Sequence, residues 1–166
     1  GRILIPLFLY QKRALSQPMF YLSEYLENHR EGYYQRLKAI SADGDWNGWL
    51  VFFLQAIAIQ ATQNSERVTA IQALYEEMKL AIQAATRSQY TVHVLDAIFN
   101  KPIFRSSDLA QQLFREFGIH EKTGQGLLRQ MRDTGILREL RPGSGRRPST
   151  LCFPRLINLA EGRTVI

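Results

Sequence analysis

The sequence predicts a mainly helical protein in two parts, the second of which adds a small β-hairpin. Apolar residues recur every three or four positions over residues 1–88, which is the spacing of helices with one buried face. Two short runs of strand type, 136–140 and 151–153, occur only near the C-terminal end. The apolar fraction of 45% is sufficient for hydrophobic cores, and a length of 166 residues fits one large or two small domains.

Residues 1–88 are expected to form part of a helical bundle rather than a complete domain. The expected helices are 3–14, 21–40, 46–62 and 65–88. Asp45 is well placed as the N-cap of the third helix, and Ser65 as that of the fourth. The third helix is apolar on most sides, which is the pattern of a buried helix, so Trp46, Trp49 and Phe53 are expected in its core.

Residues 89–166 are expected to form shorter elements bounded by proline and glycine. Their order is a helix at 92–99, a strand at 103–104, helices at 107–117 and 122–133, and strands at 136–140 and 151–153. Pro102, Gly118 and Gly135 mark the ends of the three helices. The core residues expected on the second and third of these helices are Leu109, Leu113, Phe114, Phe117, Leu127, Leu128 and Met131.

This order of elements is that of a winged helix-turn-helix domain with a β-hairpin wing, over roughly residues 91–160. The second helix of such a pair enters the major groove of DNA. The candidate DNA-binding residues are Lys122, Gln125, Arg129 and Arg132 on its outward side, beside Gly126, and Arg141, Arg146 and Arg147 in the wing. A glutamine amide suits a base edge, whereas arginine suits base or phosphate. The glycines beside the wing arginines are expected to form a mobile hinge.

The charge distribution favours an anionic partner for the second part, with DNA first among the possibilities. Residues 91–166 hold twelve Lys and Arg against seven Asp and Glu, whereas residues 1–90 hold nine against eight. His120 and Glu121, however, stand where such helices often begin with Ser or Thr, and Glu121 would repel phosphate. Winged helices also serve as protein-interaction or dimerisation modules, so a module without DNA binding is the alternative.

A series of short motifs runs through the first sixty residues. It comprises Gly-Arg-Ile-Leu-Ile-Pro-Leu-Phe-Leu-Tyr at 1–10, Leu-Ser-Gln-Pro at 15–18, Tyr-Leu-Ser-Glu-Tyr at 21–25, Asn-His-Arg at 28–30, Tyr33-Tyr34, Gly-Asp-Trp at 44–46 and Trp-Leu-Val-Phe-Phe-Leu at 49–54. The series resembles the Fic family after its signature, H-x-F-x-[DE]-G-N-G-R-x-x-R. The resemblance is to the bacterial branch that carries a winged helix after the catalytic core.

Fic enzymes transfer AMP from ATP to protein hydroxyls. The resemblance therefore implies this activity for the parent protein, whereas this chain lacks most of the signature that it requires. Only the last signature arginine is present, as Arg2. The chain is therefore expected to be a non-catalytic C-terminal fragment, with the rear of a Fic core at 1–88 and the winged helix at 89–166. The parent would be a protein adenylyltransferase that uses Mg-ATP on a target protein, whereas the fragment needs no cofactor. Tyr33 and Tyr34 would lie near the adenine in the parent, and are expected to pack or to be partly exposed here.

Composition argues against several other classes of protein. No apolar run approaches the roughly 20 residues of a membrane helix, so no membrane partner is expected. A single Cys152 excludes an internal disulfide and favours a reducing cytoplasm, and the spacing of the three histidines is not that of a zinc site. A Fic core cut after its signature would leave apolar faces of 3–14 and 46–62 uncovered, so a homodimer is expected.

Overall fold

The computed structural model describes residues 4–14, 22–145 and 147–166. These residues confirm a mainly helical chain with a small three-stranded antiparallel sheet. The helices are α1 (Leu4–Gln11), α2 (Leu22–Asn28), α3 (Arg30–Asp43), α4 (Trp46–Thr86), α5 (Thr91–Asn100), α6 (Ser106–Phe117), α7 (Glu121–Asp133) and α8 (Pro154–Glu161). The strands are β1 (Ile103–Arg105), β2 (Arg138–Arg141) and β3 (Thr150–Cys152).

The packing of the chain divides it into two compact units, Gly1–Glu66 and Arg67–Ile166. The sequence placed the boundary at residue 88 instead. The division lies earlier because Leu74, Met78 and Ile82, in the second half of α4, belong to the buried cluster of the C-terminal unit. The sequence indicates the periodic apolar stripe of this helix segment, but not that the stripe packs in the core of the C-terminal unit.

The first unit has a small core between α2 and α4. Its buried hydrophobic residues are Leu22, Leu26 and Ala56. Gln60 is fully buried beside them, and its Oε1 accepts a hydrogen bond of 3.1 Å from the backbone N–H of Tyr25. A buried amide must find partners, so this bond helps fix the position of α2 on α4.

The helix expected over 21–40 is interrupted at one residue. His29 separates α2 from α3, with backbone angles of φ −117° and ψ 35° outside the helical range. Its ring Nδ1 lies 2.9 Å from the carbonyl oxygen of Tyr25, at the end of α2. An interaction of the side chain with that carbonyl competes with continuation of the helix.

The expected break before Ser65 is wrong, because α4 continues from Trp46 to Thr86. The polar residues near Ser65 include no glycine or proline, so nothing in the backbone ends the helix there. The expected N-cap at Asp45 is confirmed: its Oδ1 accepts a hydrogen bond of 2.8 Å from the Gly48 amide.

The sequence predicts that the first turns of α4 are buried on most sides, and this prediction is wrong for part of them. The exposed fractions of Trp46, Leu50 and Leu54 are 61%, 50% and 63%. Trp49 and Phe53 are partly buried and stack at a centroid distance of 5.8 Å, so they do belong to the packed side. The segment 46–62 is apolar on most sides, but Trp46, Leu50 and Leu54 are exposed.

The second unit has the larger core. Its buried residues come from α4, α5, α6, α7, the sheet and α8, and the cluster includes Ile98, Phe104, Leu113, Leu128, Leu151 and Phe153. Arg155 on α8 makes a two-bond ion pair with Glu77 on α4, at 2.5 and 2.7 Å. This pairing lowers the pKa of the Glu77 carboxyl and helps hold α8 on α4.

For two aromatic residues of α6, the prediction that they lie in this core is wrong. Phe114 and Phe117 are 49% and 42% exposed, whereas Leu109, Ala110 and Leu113 form the buried side of α6. Phe117 stacks on the ring of His93 at 4.3 Å. At about 100° per residue, Phe114 falls beyond the edge of this buried stripe, whereas Phe117 falls on the stripe and is exposed at the last residue of α6.

In the sheet the strands follow the order β1-β3-β2, both pairs being antiparallel. The rows across it are Ile103–Cys152–Arg138, Phe104–Leu151–Glu139 and Arg105–Thr150–Arg141, with a bulge in β2 between Glu139 and Arg141. Phe104 and Leu151 of the middle row are buried in the core, whereas Glu139, at its β2 end, is exposed. In the part of the chain that the structure describes, no helix is long and apolar enough to cross a membrane.

Candidate nucleic-acid interface

The position of α7 is set by the turn that precedes it. Gly118 ends α6 in the left-handed conformation, at φ 68°, and Ile119 is then buried in the core. His120 caps α7, since its side chain accepts a hydrogen bond of 3.3 Å from the backbone N–H of Lys122. The residue that appeared unusual for a helix start is therefore a working N-cap, because a ring nitrogen is also an acceptor.

The close packing of α6 on α7 depends on Gly124. A Cβ at this position would lie 3.4 Å from the Cα and 3.5 Å from the Cβ of Ala110. Gly124 is buried with Leu127, Leu128 and Met131, which together form the inner side of α7. Because this inner side packs against the core, the packing also fixes the orientation of the outer side of α7.

Lys122, Gln125, Gly126 and Arg129 lie together on the outer side of α7 and are named here the helix face. Their spacing of three and four positions places them in neighbouring turns on one side of the helix. The side chains of Lys122, Gln125 and Arg129 are exposed. Within residues 4–14, 22–145 and 147–166, no carboxylate forms an ion pair with Lys122 or Arg129. Both positive charges are thus available to an external anion.

Gly126 stands within the helix face without a packing reason of its own. A Cβ built on it meets no atom within 4 Å, unlike one built on Gly124. A glycine inside a helix costs about 1 kcal/mol relative to alanine. The absence of a side chain lets another molecule approach the α7 backbone closely between Lys122 and Arg129.

Arg132 differs from the other candidates on α7 because its charge is already partly neutralised. Its Nη2 and Nε donate to Oδ1 of Asp133 at 2.9 and 3.1 Å. The hydrogen bond to Asp133 and the nearby charge of Glu139 raise the pKa of its guanidinium further. Arg132 is accordingly a weaker candidate for phosphate contact than Arg129.

The wing is a hydrogen-bonded hairpin end, in contrast to the mobile hinge expected from its glycines. The Ser144 amide donates to the Arg147 carbonyl at 3.0 Å, and the Arg147 amide donates back at 2.9 Å. Gly145 adopts φ 57°, which suits glycine in a tight turn. A Cβ on Gly143 would approach the Arg147 carbonyl oxygen to 3.2 Å. Arg141 and Arg147 are exposed on this hairpin, and Arg146 lies outside the described residues.

The sequence missed two arginines that the sheet brings beside the wing. Arg105 on β1 and Arg138 on β2 are exposed, and they pair across the sheet with Thr150 and Cys152 of β3, respectively. Only the short strand-type pair Ile103-Phe104 was available as a signal for Arg105, because Ile-Phe-Arg does not alternate apolar and polar residues. The pairing of its strand with β3 was not, because register between distant segments is not written in local spacing.

The residues implicated by the resemblance lie in the first unit. The rings of Tyr33 and Tyr34 meet edge to face at 5.5 Å, and Tyr33 also packs on Trp49 at 5.5 Å. Tyr34 is 51% exposed, with the guanidinium of Arg30 over its ring at 5.7 Å. Arg2 lies outside the described residues. Across the described ranges, no three His, Cys, Asp or Glu residues come together as a metal site.

Compared with models of known protein families, the chain matches none.

Proposed function

We propose that the second unit is a winged helix-turn-helix that binds duplex DNA, with α7 as its recognition helix. The observation that carries the proposal is the helix face, where the exposed Gln125 amide and two cations without an ion pair among the described residues surround a glycine that the fold does not require. An α-helix fits the width of the major groove, and a position without a side chain permits close approach to it.

The order of elements supports the same proposal. The helix α5, the strand β1, the pair α6 and α7, and the hairpin of β2 and β3 follow one another as they do in winged helices. The turn of residues 118–120 is short, and the hairpin presents Arg147 next to its tip. In this arrangement α7 would supply contacts to bases through Gln125 and to phosphate through Lys122 and Arg129, and the wing would supply further contacts to phosphate.

We also propose, on the residues that resemble Fic proteins, that the first unit is the rear part of a Fic core. The exposed apolar residues of α1 and of the first turns of α4 are compatible with it, since such surfaces are normally covered by other helices. In this proposal the parent protein transfers AMP from Mg-ATP to a protein hydroxyl. The chain itself lacks the signature histidine and the glycine-rich phosphate loop, and is non-catalytic.

The alternative function is self-association or protein binding without DNA. It is favoured by Leu50, Val51 and Leu54, which are at least half exposed and adjacent on α4. Exposed apolar patches of this type are common at protein interfaces. A second copy of the chain, meeting the first about a two-fold axis, is the simplest partner. Such an association would be insensitive to salt, because it buries apolar surface.

The DNA proposal predicts different roles for Gln125 and Arg147. Gln125→Ala should change sequence preference, by roughly 1–3 kcal/mol at one base pair, because an amide can pair with an adenine edge. Arg147→Ala should weaken binding about equally on all duplexes and reduce the log–log salt slope by about 0.9, since phosphate contact carries no sequence information. Both variants are titrated against selected and random duplexes at two salt concentrations. Equal loss of preference in both variants would contradict this division.

A further inference from the structure

The outer face of the sheet adds two arginines, Arg105 and Arg138, to Arg141 of the wing. The register places Arg105 and Arg141 on either side of Thr150, in one row across three strands. Side chains opposite one another in an antiparallel sheet share a face. Arg138 lies in the row of Cys152, and residues two apart along a strand also share a face. The outer face therefore holds Arg105, Arg138 and Arg141.

The burial of neighbouring residues supports this assignment. Phe104 and Leu151, from the row between, are buried in the core cluster, so the arginines point to the opposite side. Burial raises the pKa of the Cys152 thiol, and the nearby positive charge of Arg138 partly offsets that effect. Glu139, the acidic residue of β2, is exposed in the row between and helps raise the pKa of Arg132, but among the described residues it forms no ion pair with Arg105, Arg138 or Arg141.

The positive charge on this face is not matched by acidic groups. All three arginines are exposed, and the described residues include no carboxylate in an ion pair with any of them. Neighbouring strands lie about 4.8 Å apart, so the backbones at Arg105 and Arg141 are separated by roughly 10 Å. The face is thus a flat array of spaced guanidinium groups, which suits a repeating anion better than a single carboxylate.

We propose that the outer face of the sheet, through Arg105, Arg138 and Arg141, is an additional surface for the phosphate backbone of nucleic acid. The proposal rests on the DNA binding proposed for this unit and adds contacts outside the helix face. Guanidinium groups bind phosphate in a bidentate manner, and a duplex presents one negative charge for about every 1.7 Å of its axis. An acidic protein is the competing partner, and it is separated from nucleic acid by the experiment.

The test uses the full chain with Arg105→Gln and Arg138→Gln combined, leaving the helix face intact. Loss of two phosphate contacts should reduce the log–log salt slope for a duplex by roughly 1.8, so that the affinity ratio between about 50 and 200 mM salt falls about tenfold. Sequence preference should not change. The matched control combines Arg115→Gln and Arg163→Gln, which remove two exposed charges from α6 and from the C-terminal segment. The control should keep the wild-type slope.

Three results would overturn the proposal. The first is a salt slope for duplex binding that equals that of the wild type in the Arg105/Arg138 variant but is lower in a Lys122→Gln, Arg129→Gln variant. In that case the outer face of the sheet does not bind phosphate, and the proposed DNA binding by the helix face is retained. The second is a loss of polyglutamate binding with unchanged duplex binding, which assigns the face to an acidic protein. The third is a wild type without duplex affinity, which removes the DNA function itself. Because the charge of Arg138 acts on the buried Cys152 thiol, Arg105→Gln alone is measured as well, and should lower the slope by about 0.9 without moving the denaturation midpoint.

Discussion

Replacing both Lys122 and Arg129 with glutamate should lower the affinity of the chain for duplex DNA by roughly 2–4 kcal/mol, about 30- to 700-fold. The two residues lie about two turns apart on the exposed side of α7, on either side of Gly126. Each substitution removes an attraction to phosphate or base and adds a repulsion. Because neither side chain packs in the core, the loss should appear without a loss of stability. The measurement is an equilibrium titration with a fluorescent duplex, beside a denaturation curve.

The control for this variant reverses Arg115 and Arg163 to glutamate, which changes the net charge of the chain by the same amount. Both are exposed arginines of the second unit outside the helix face. If binding depended on net charge alone, the two double variants would lose affinity equally. Equal losses would therefore contradict a specific role for α7, and a loss confined to the Lys122/Arg129 variant would support it.

Leu113→Ala should lower the free energy of unfolding of the second unit by about 2–5 kcal/mol. Leu113 is fully buried on α6, and its Cδ1 would lie 3.6 Å from a Cβ on Gly124. The substitution leaves a cavity at the contact that sets the position of α7, so DNA affinity should fall with stability. Hydrogen exchange at the α7 amides is the suitable measurement, because the two units need not unfold together.

Phe114→Ala provides the matched comparison on the same helix. Phe114 is 49% exposed, so truncation should cost roughly 1 kcal/mol, less than at Leu113 although more atoms are removed. The sequence placed both residues in the core, so the pair also tests which burial pattern is correct. If Phe114→Ala lowered the free energy of unfolding as much as Leu113→Ala does, the result would contradict the observed burial and support the core position that the sequence predicts for Phe114.

Local chemistry explains which parts of the fold could be predicted from the sequence. The end of α6 follows from Gly118, and Asp45 acts as the expected cap of α4. The inward residues of α7 were also identified, because a helix with one buried stripe has a clear period. These features depend on residues a few positions apart.

The remainder depends on contacts between distant segments. The exposure of Leu50 and Leu54 reflects what covers α4, and the apolar composition of the helix carries no information about that. The row of Arg105 with Arg141 exists only because β1 and β2 both pair with β3. The ion pair of Arg132 with Asp133 could have been anticipated from adjacency, but its effect on the candidate site depends on geometry.

The central claim, that the second unit binds DNA through its charged surfaces, is tested most directly by titrating the unmodified 166-residue chain with duplex DNA over a range of salt concentrations. The account predicts a log–log slope of magnitude at least about 2.7, from contacts of Lys122, Arg129 and Arg147 at roughly 0.9 each. The slope should be larger if the outer face of the sheet contributes. An affinity that is independent of salt, or weaker than about 10⁻⁴ M at physiological salt, would contradict the claim and favour the self-association alternative.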